Sequence, residues 1–443
     1  MGSRSGEEEN LKITKGKRFS GGTHIPDRKE LTADIPIEIM PSPDIVAISL
    51  SQHIGKPSVP VVNAGDMVSV GQLIAAEGGF VGANVYSSVS GKVAAIEERY
   101  NPNGTKSNYI VIENDKNDWS AQPLPEMEDK TAGSILQRIR LAGIVGMGGA
   151  GFPAAVKLMP KQAVDCLIIN GAECEPYLTC DYRLMKEKTD EIHTGIMLLA
   201  KALKVNKVYI GIERNKPDCI KAFSEYDDIT VVDLKKRYPM GSEKHLIYSC
   251  TGRKVGLGKL PADAGAVVQN VATAYAVYEA VELNKPLYER VMTVSGKGII
   301  HPKNLLVKNG TPLDMIITYC GGMRDDSAMM IAGGPMMGPT MLSSNLYTTK
   351  TTSGLLVTTS DEVDMSGPTP CINCGRCAEA CPMRLQPMLI DFYAQANDFE
   401  KAAKYGGVKN CINCGTCAYV CPAKRSIVQS IMLSKKKLAE GGK

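Results

Sequence analysis

Eight cysteines fall into two segments that match almost letter for letter. Cys371-Ile-Asn-Cys374-Gly-Arg-Cys377-Ala-Glu-Ala-Cys381-Pro382 is followed by Cys411-Ile-Asn-Cys414-Gly-Thr-Cys417-Ala-Tyr-Val-Cys421-Pro422. Each reads C-x2-C-x2-C-x3-C-P. A loop with this spacing turns three thiolates onto three irons of one cubane. The fourth cysteine, expected to start a helix, points away and in two-cluster proteins ligates the other cluster. The spacing therefore predicts two [4Fe–4S] clusters with crossed ligands. Cluster 1 takes Cys371, Cys374, Cys377 and Cys421; cluster 2 takes Cys411, Cys414, Cys417 and Cys381. Zinc wants four ligands in one tetrahedral set and fits a doubled eight-cysteine pattern poorly. The other six cysteines (Cys166, Cys174, Cys180, Cys219, Cys250, Cys320) lack ligand spacing and read as buried structural thiols.

Two further motifs suggest a nucleotide site. Gly146-Met-Gly148-Gly149-Ala-Gly151 spells G-x-G-x-x-G, and its backbone N–H groups, with Phe152-Pro153 at a helix start, suit a phosphate. The segment before it reads as a helix and not a strand, a departure from the usual dinucleotide fingerprint. The second motif is Asn170-Gly-Ala-Glu173-Cys-Glu175-Pro176, at the end of an apolar run. Ligands of open α/β sheets bind at the carboxyl ends of strands, so Asn170 and the two carboxylates are placed for ribose or ring contacts.

The elements that must position these groups alternate along the chain. Short β-rich pieces punctuated by glycine turns run from Ile35 to Ile112 and predict a small all-β module. Residues 118–128, with the only Trp, read as a linker. Helical periodicity follows over Ala132–Leu141. Three buried-strand candidates come next (164–169, 207–212 and 229–234), with amphipathic segments at about 183–203 and 216–225 between them. That alternation predicts a parallel, doubly wound sheet. Residues 266–283 are Ala/Val-rich and read as helix. Strands return at 291–295, 304–307 and 354–359, with a short helix opening near Gly310, giving a second small α+β module. Residues 386–405, between the cysteine segments, carry apolar residues at helical spacing. The basic run Lys435-Lys-Lys437 reads as a solvated tail.

Composition limits the function. The 443 residues suffice for several domains, and the formal net charge of +4 is too small to argue for nucleic acid. No apolar run is long enough for a transmembrane helix, and the charged first 18 residues lack the apolar core of a signal peptide. A reducing compartment is expected, which disfavours disulfides among fourteen cysteines.

Several motifs converge on known families. GMGGAGFP with Lys157 after it, then NGAECEP, resembles the flavin- and NADH-binding subunit of respiratory complex I. Tyr238-Pro-Met-Gly-Ser-Glu243 resembles that family's Y-x-x-G-E-E stretch, and Gln269-Asn270-Val-Ala-Thr273 its N-N-V-E-T flavin contact. Met147 stands where complex I has Arg, Ala172 where it has Asp, and Ser242 and Gln269 where it has Glu and Asn. Over nearly its whole length the chain resembles the C subunit of the Rnf complex, the membrane-bound ferredoxin:NAD oxidoreductase. The carriers are Phe19-Ser-Gly-Gly-Thr-His24-Ile-Pro, Gln52-His-Ile-Gly55, Gly65-Asp-Met-Val-Ser-Val-Gly-Gln72, Gly333-Gly-Pro-Met-Met-Gly338 and the doubled cysteine motif.

That resemblance implies a multidomain α/β and α+β protein. An N-terminal tail (1–22) precedes a lipoyl-like barrel-sandwich hybrid (23–115) and a Rossmann-like, complex I-like FMN/NAD-binding domain (116–287). A soluble-ligand-binding β-grasp domain (288–362) and an α-helical ferredoxin-type module with two [4Fe–4S] clusters (363–443) complete it. The implied cofactor is FMN, with NAD(H) as substrate. The flavin/NAD residues are Gly146, Gly148, Gly149, Gly151, Lys157, Asn170, Glu173, Glu175, Glu243, Asn270 and Thr273, Lys157 offering charge to a phosphate. No residue is expected to act as an acid or base, since hydride transfer depends on positioning. The implied partners are integral membrane subunits and a ferredoxin-like subunit, the site of action the cytoplasmic face of the cell membrane. Two readings compete. One is a cobalamin reductase of similar layout, disfavoured by the N-terminal motifs. The other is a non-catalytic iron–sulfur relay, which rests on the departures at Met147 and Ala172.

Overall fold

The computed structural model describes residues 13–117 and 122–441. Trp119 and residues 1–12 lie outside the described residues, and with them part of the expected tail and linker.

Two small antiparallel sheets form the first module. One pairs Ile45–Ser49, Lys106–Asn114, Gly91–Tyr100 and Met67–Val68; the other pairs Val59–Pro60, Leu73–Ala76 and Val85–Tyr86. Their alternating apolar residues share one core, with Val46, Ile48, Val93, Ile110 and Ile112 from the first sheet meeting Ile74, Ala75 and Val85 from the second.

The second module is an open, all-parallel sheet of five strands, in the order Ile13–Lys15, Thr230–Leu234, Lys207–Glu213, Cys166–Gly171, Ala266–Asn270. Helices cover both faces. Ala132–Leu141, Thr189–Leu203 and Val271–Glu282 pack in one core with Leu167, Ile169, Ile210 and Val267, while Leu246 and Ile247 of Glu243–Thr251 pack on Cys166, Ile168 and Val268. From Cys166–Gly171 the chain winds outward in one direction, then returns to add Ala266–Asn270 on the opposite side. The carboxyl ends of these two strands thus meet at a topological switch point, where such sheets bind ligands.

Three expectations change here. Residues 13–15 are not tail. They form an edge strand in register with Val231–Asp233, because the exposed edge of Thr230–Leu234 offers unpaired backbone groups. Residues 37–39, expected within the barrel, pair in parallel with Lys303–Lys308 as the edge of the later sheet. Residues 266–283 are not one helix: the first five form a fully buried strand, and Asn270 then caps a helix by accepting from the Ala272 N–H at 2.8 Å. A continuous apolar run carries no period that separates buried strand from helix.

The third module is a six-stranded mixed sheet (Thr340–Met341, Ser327–Ala332, Gly354–Thr359, Glu289–Ser295, Lys303–Lys308, Ile37–Ile39) with the helix Leu313–Tyr319 on its core face. The cysteine region is helical. Pro387–Gln395 and Ile427–Gly441 pack through Ile390, Ile427 and Ile431 against Cys377 and Cys417. Cys381 and Cys421 do not start helices. Cys381 ends the helix Arg376–Ala380, and Cys421 follows Thr416–Tyr419. Both turns repeat the same backbone, with positive φ at Asn373 and Asn413, Gly375 and Gly415, Arg384 and Lys424.

Candidate functional site

Each cysteine set surrounds its own small cavity. Cys371, Cys374, Cys377 and Cys421 line one; Cys411, Cys414, Cys417 and Cys381 line the other. The two repeats are therefore interlocked, each lending its last cysteine to the neighbouring cavity. Four thiols converging on one apolar hollow are the donor set that a cubane takes. The sets differ in exposure. Cys371 and Cys374 are exposed, whereas Cys414, Cys417 and Cys381 are buried. Burial pushes the thiols of Cys411, Cys414 and Cys417 up, the cost that bound iron offsets by holding them as thiolates. One lysine of the basic run is not solvated, since Lys435 Nζ donates to the Cys411 carbonyl at 2.6 Å and to Asn413 Oδ1 at 3.0 Å, while Lys436 and Lys437 are exposed as a solvated tail would be.

A cavity of about 500 Å³ opens at the switch point of the parallel sheet. Gly146, Gly148, Gly149, Gly151, Lys157, Asn170, Glu173, Glu175, Glu243 and Asn270 all line it. Thr273 does not. It is fully buried, and its hydroxyl accepts from the Met147 N–H at 3.1 Å, so it fixes the glycine loop from behind. The loop is pinched at its base, where Gly146 N–H donates to Phe152 O at 2.9 Å and Ala154 N–H to Ile144 O at 3.0 Å. The helix after Pro153 is only Ala154–Lys157, too short to supply the expected helix-start charge. The first module braces the loop: Ile54 N–H donates to Gly151 O at 3.3 Å, and Gln52 Oε1 accepts from the Lys350 N–H at 2.8 Å. The Gln52–Gly55 motif thus acts as a buttress.

The acidic turn is held from behind by two lysines. Lys216 Nζ, fully buried, donates to Ala172 O at 2.7 Å. Lys29 Nζ donates to Leu178 O, to Glu175 O at 3.1 Å and to Glu173 Oε2 at 3.4 Å. Asn170 Nδ2 donates to Gly241 O at 2.9 Å, joining the strand end to the Tyr238–Glu243 stretch. Glu175 accepts from Tyr238 Oη and from Met336 N–H, each at 3.1 Å, and burial raises its carboxyl above the usual range. Lys157 and Glu243 pair with each other at 2.5 Å.

Three lining groups were not singled out from sequence as residues of this cavity. Asp181 accepts from Asn270 Nδ2 at 2.7 Å, and burial, with Glu173 beside it, pushes its carboxyl up to about 6. It lies beyond the Asn170–Pro176 motif, and no spacing rule links it to that turn. Gln269, noted only as a departure, is 2% exposed, and its Nε2 has no acceptor among the described residues. A buried amide donor at a cavity wall costs free energy until a ligand oxygen accepts from it. A flavin, with ring carbonyls, ribityl hydroxyls and phosphate, supplies such oxygens, so the donor set fits FMN. The third group is the pair Ile412 and Cys414, which line this cavity as well as the second cysteine cavity. The switch-point cavity and one thiol set therefore share a wall, whereas the other set lines none of it.

Comparison with known proteins gives four domain matches in order. Residues 17–117 match the RnfC barrel sandwich hybrid domain, 139–279 the Nuo51 FMN-binding domain, 291–340 the SLBB domain and 365–422 the 4Fe-4S dicluster domain. The chain is 48% identical over 423 residues to the C subunit of the proton-translocating ferredoxin:NAD(+) oxidoreductase complex of Clostridium ljungdahlii, covering 94% of this chain and 93% of that protein. It is 43% identical over 429 residues to the Na(+)-translocating counterpart of Acetobacterium woodii, covering 95% and 97%. Identity to the C subunit of the ion-translocating oxidoreductase complex of Rhodobacter capsulatus is 44% over 431 residues, covering 95% and 83%.

Proposed function

The chain belongs to the RnfC family, the C subunits of ion-translocating ferredoxin:NAD(+) oxidoreductase (Rnf) complexes, and from that premise we propose that it forms the junction where single electrons are paired for exchange with NAD(H). It is an electron-transfer subunit of a complex that couples electron transfer between ferredoxin and NAD to ion translocation. Its cofactors are FMN and iron–sulfur clusters. When bound, the clusters supply one-electron steps and the flavin couples them to hydride exchange with nicotinamide.

The residues divide this work between them. Cys371, Cys374, Cys377 and Cys421 hold the outer cluster, and Cys411, Cys414, Cys417 and Cys381 the inner one. The glycine loop, Lys157, Asn170, Gln269 and Asn270 hold and orient the flavin, with Thr273 fixing the loop. Glu173, Glu175 and Glu243 bound the space left for nicotinamide and ribose. We read the parallel sheet as a Rossmann-like flavin domain (116–287, joined by strand 13–15) and the mixed sheet as a β-grasp domain (288–362, joined by strand 37–39). The barrel-sandwich hybrid (23–115) and the cluster module (363–443) flank them.

One observation carries this reading: Cys414 and Ile412 belong both to the inner thiol cavity and to the wall of the flavin cavity. That adjacency orders the path as outer cluster, inner cluster, flavin. No helix among the described residues is long and apolar enough to cross a membrane. Membership of the RnfC family is what supports our reading of the chain as a peripheral subunit on the cytoplasmic face, docked on integral membrane subunits and a ferredoxin-like subunit. The cobalamin reductase reading loses its footing to the full-length RnfC matches. NADH-dependent ferricyanide reduction by the purified, FMN-reconstituted chain tests the junction. Turnover is expected; its absence with both clusters intact would leave only the relay reading.

A further inference from the structure

Cys381 is the inner set's borrowed ligand, contributed by the first repeat to the cavity of the second. Its backbone is gripped from outside the cluster module. Gly22 N–H donates to Ala380 O at 2.8 Å, and Arg384 Nε donates to Ser20 Oγ at 3.0 Å. Gly21, at φ +80°, lies so close that a Cβ there would sit 2.5 Å from the Cys381 carbonyl oxygen. On the other side, His245 Nε2 is 3.2 Å from Pro382 O, and His245 Nδ1 is 2.9 Å from Ser242 Oγ. A carbonyl only accepts, so Nε2 carries the proton and Nδ1 takes the Ser242 hydroxyl hydrogen. The Phe19 ring covers the buried imidazole, with centroids 4.4 Å apart.

The turn held this way is Cys381–Leu385. In it, Arg384 N–H donates to Cys381 O at 3.2 Å and Leu385 N–H to Cys381 Sγ at 3.4 Å. An N–H aimed at a ligand sulfur stabilises the extra negative charge of a reduced cluster, and such outer hydrogen bonds tune potential. The matching turn of the second repeat is held differently, from within the cluster module, with Thr369 N–H donating to Ala423 O at 3.0 Å and Lys424 pairing with Asp364. Pro422 is exposed, and among the described residues no histidine reaches its carbonyl.

We propose that His245, held by Phe19 and acting through the Pro382 carbonyl, is a positioning residue that fixes the Cys381–Leu385 turn and raises the reduction potential of the inner cluster alone. This rests on the ligand sets given above.

EPR-monitored reductive titration of the purified full chain with both clusters loaded tests it. His245→Phe keeps a ring and removes the N–H donor. It is expected to lower the midpoint of the signal that Cys414→Ala abolishes and to leave the other signal in place. His245→Gln, which offers an N–H at similar reach, is expected to restore most of the shift. An unchanged midpoint in His245→Phe, or an equal shift of both signals, overturns the proposal. Should His245→Phe lose iron, Phe19→Ala takes its place: a smaller downward shift of the same signal supports the proposal, and no shift overturns it. Cys381→Ala separates this from the ligand sets. If it abolishes a different signal from Cys414→Ala, the sets themselves are wrong, whatever His245 does.

Discussion

Cys374 and Cys414 hold the same place in two nearly identical repeats, on the same backbone, yet their surroundings have little in common. Cys374 is exposed, beside Ile372 at 67% exposure. Cys414 is buried at the wall of the flavin cavity, and the next residue, Gly415, touches the turn that precedes Gly338. The outer loop thus meets solvent where the inner loop meets three other parts of the chain: the Met336 turn, Lys435 and, through Cys381, the N-terminal segment. Ligand spacing decides that each loop can hold a cluster. Packing decides which thiol set borders the switch-point cavity and which faces solvent.

The largest expected effect breaks the interlock itself. Cys381→Ala and Cys421→Ala should each remove about half the iron, and from opposite cavities. Combining Cys381→Ala with Cys414→Ala should cost no further iron, because both belong to the inner set. Combining it with Cys374→Ala should remove nearly all. Iron analysis with EPR reads these outcomes, and additive loss in the first double variant would contradict the crossed sets.

Gly415→Ala and Gly375→Ala probe the packing difference directly. Both glycines have φ near +75°, so both substitutions carry a conformational cost of about 1 kcal/mol. Only at Gly415 would the new Cβ lie 2.5 Å from the Met336 carbonyl oxygen; at Gly375 nothing lies within 4 Å. Met336 N–H also donates to Glu175, so the push should reach the flavin cavity. Gly415→Ala is expected to weaken FMN binding about tenfold or more and Gly375→Ala to leave it within about twofold, as read by flavin fluorescence. Equal losses would mean that the turn strain, not the contact, governs both.

The doubled spacing was legible because three ligands to one cubane must come from one tight loop, and a tight loop leaves its mark in sequence. The acidic turn and glycine loop were legible for the same local reason. The shared wall was not. Ile412 and Cys414 reach the flavin cavity only because the last module docks there, and no local pattern encodes docking. Residues 13–15 lie in a polar stretch too short to show alternation, and their strand exists only because an edge awaits it. Thr273 carried the right motif and a different task, since a motif fixes a residue's neighbourhood and not the direction of its side chain. Asp181 sits one helix start beyond the turn it faces, a tertiary distance invisible along the chain.

Acids on the two sides of the molecule should respond to pH in opposite ways. Burial raises Asp181 to about 6, above its ordinary 3.8, whereas Lys424 holds the exposed Asp364 well below the usual range. With Asp181 the folded chain binds more protons than the unfolded one between about pH 4 and 6, so that contribution to stability falls as pH rises through the window. Above it the ionised carboxylate remains a penalty. Asp181→Asn should therefore stabilise the chain at pH 8 by about 2 kcal/mol, a gain that vanishes toward pH 4, since Asn270 Nδ2 can still donate to the new amide oxygen. Asp364→Asn should show the reverse sign, losing a small stabilisation that wild type keeps above pH 4. Thermal melts across that range read both, and a gain for Asp181→Asn independent of pH would remove burial as the cause.

The smallest effect expected lies at the mouth of the inner side, where Lys157 and Glu243 are 28% and 37% exposed. A pair this wet contributes about 0–1 kcal/mol, so its loss should hardly move the melting temperature. Its importance lies in what it does to a phosphate. Glu243 neutralises Lys157, while the other lysine lining that cavity, Lys244, donates to Gly256 O at 3.2 Å. Lys157→Met should then weaken FMN binding about threefold at low salt, while Glu243→Gln, which frees the lysine, should tighten it by a similar factor. Raising the salt to about 0.5 M should bring all three proteins together, because screening removes the term in which they differ. Weaker binding in Glu243→Gln would instead mean that the carboxylate touches the ligand itself. The mouth would then share the direct, desolvated contacts of the inner wall, not the screened chemistry of the outer loop.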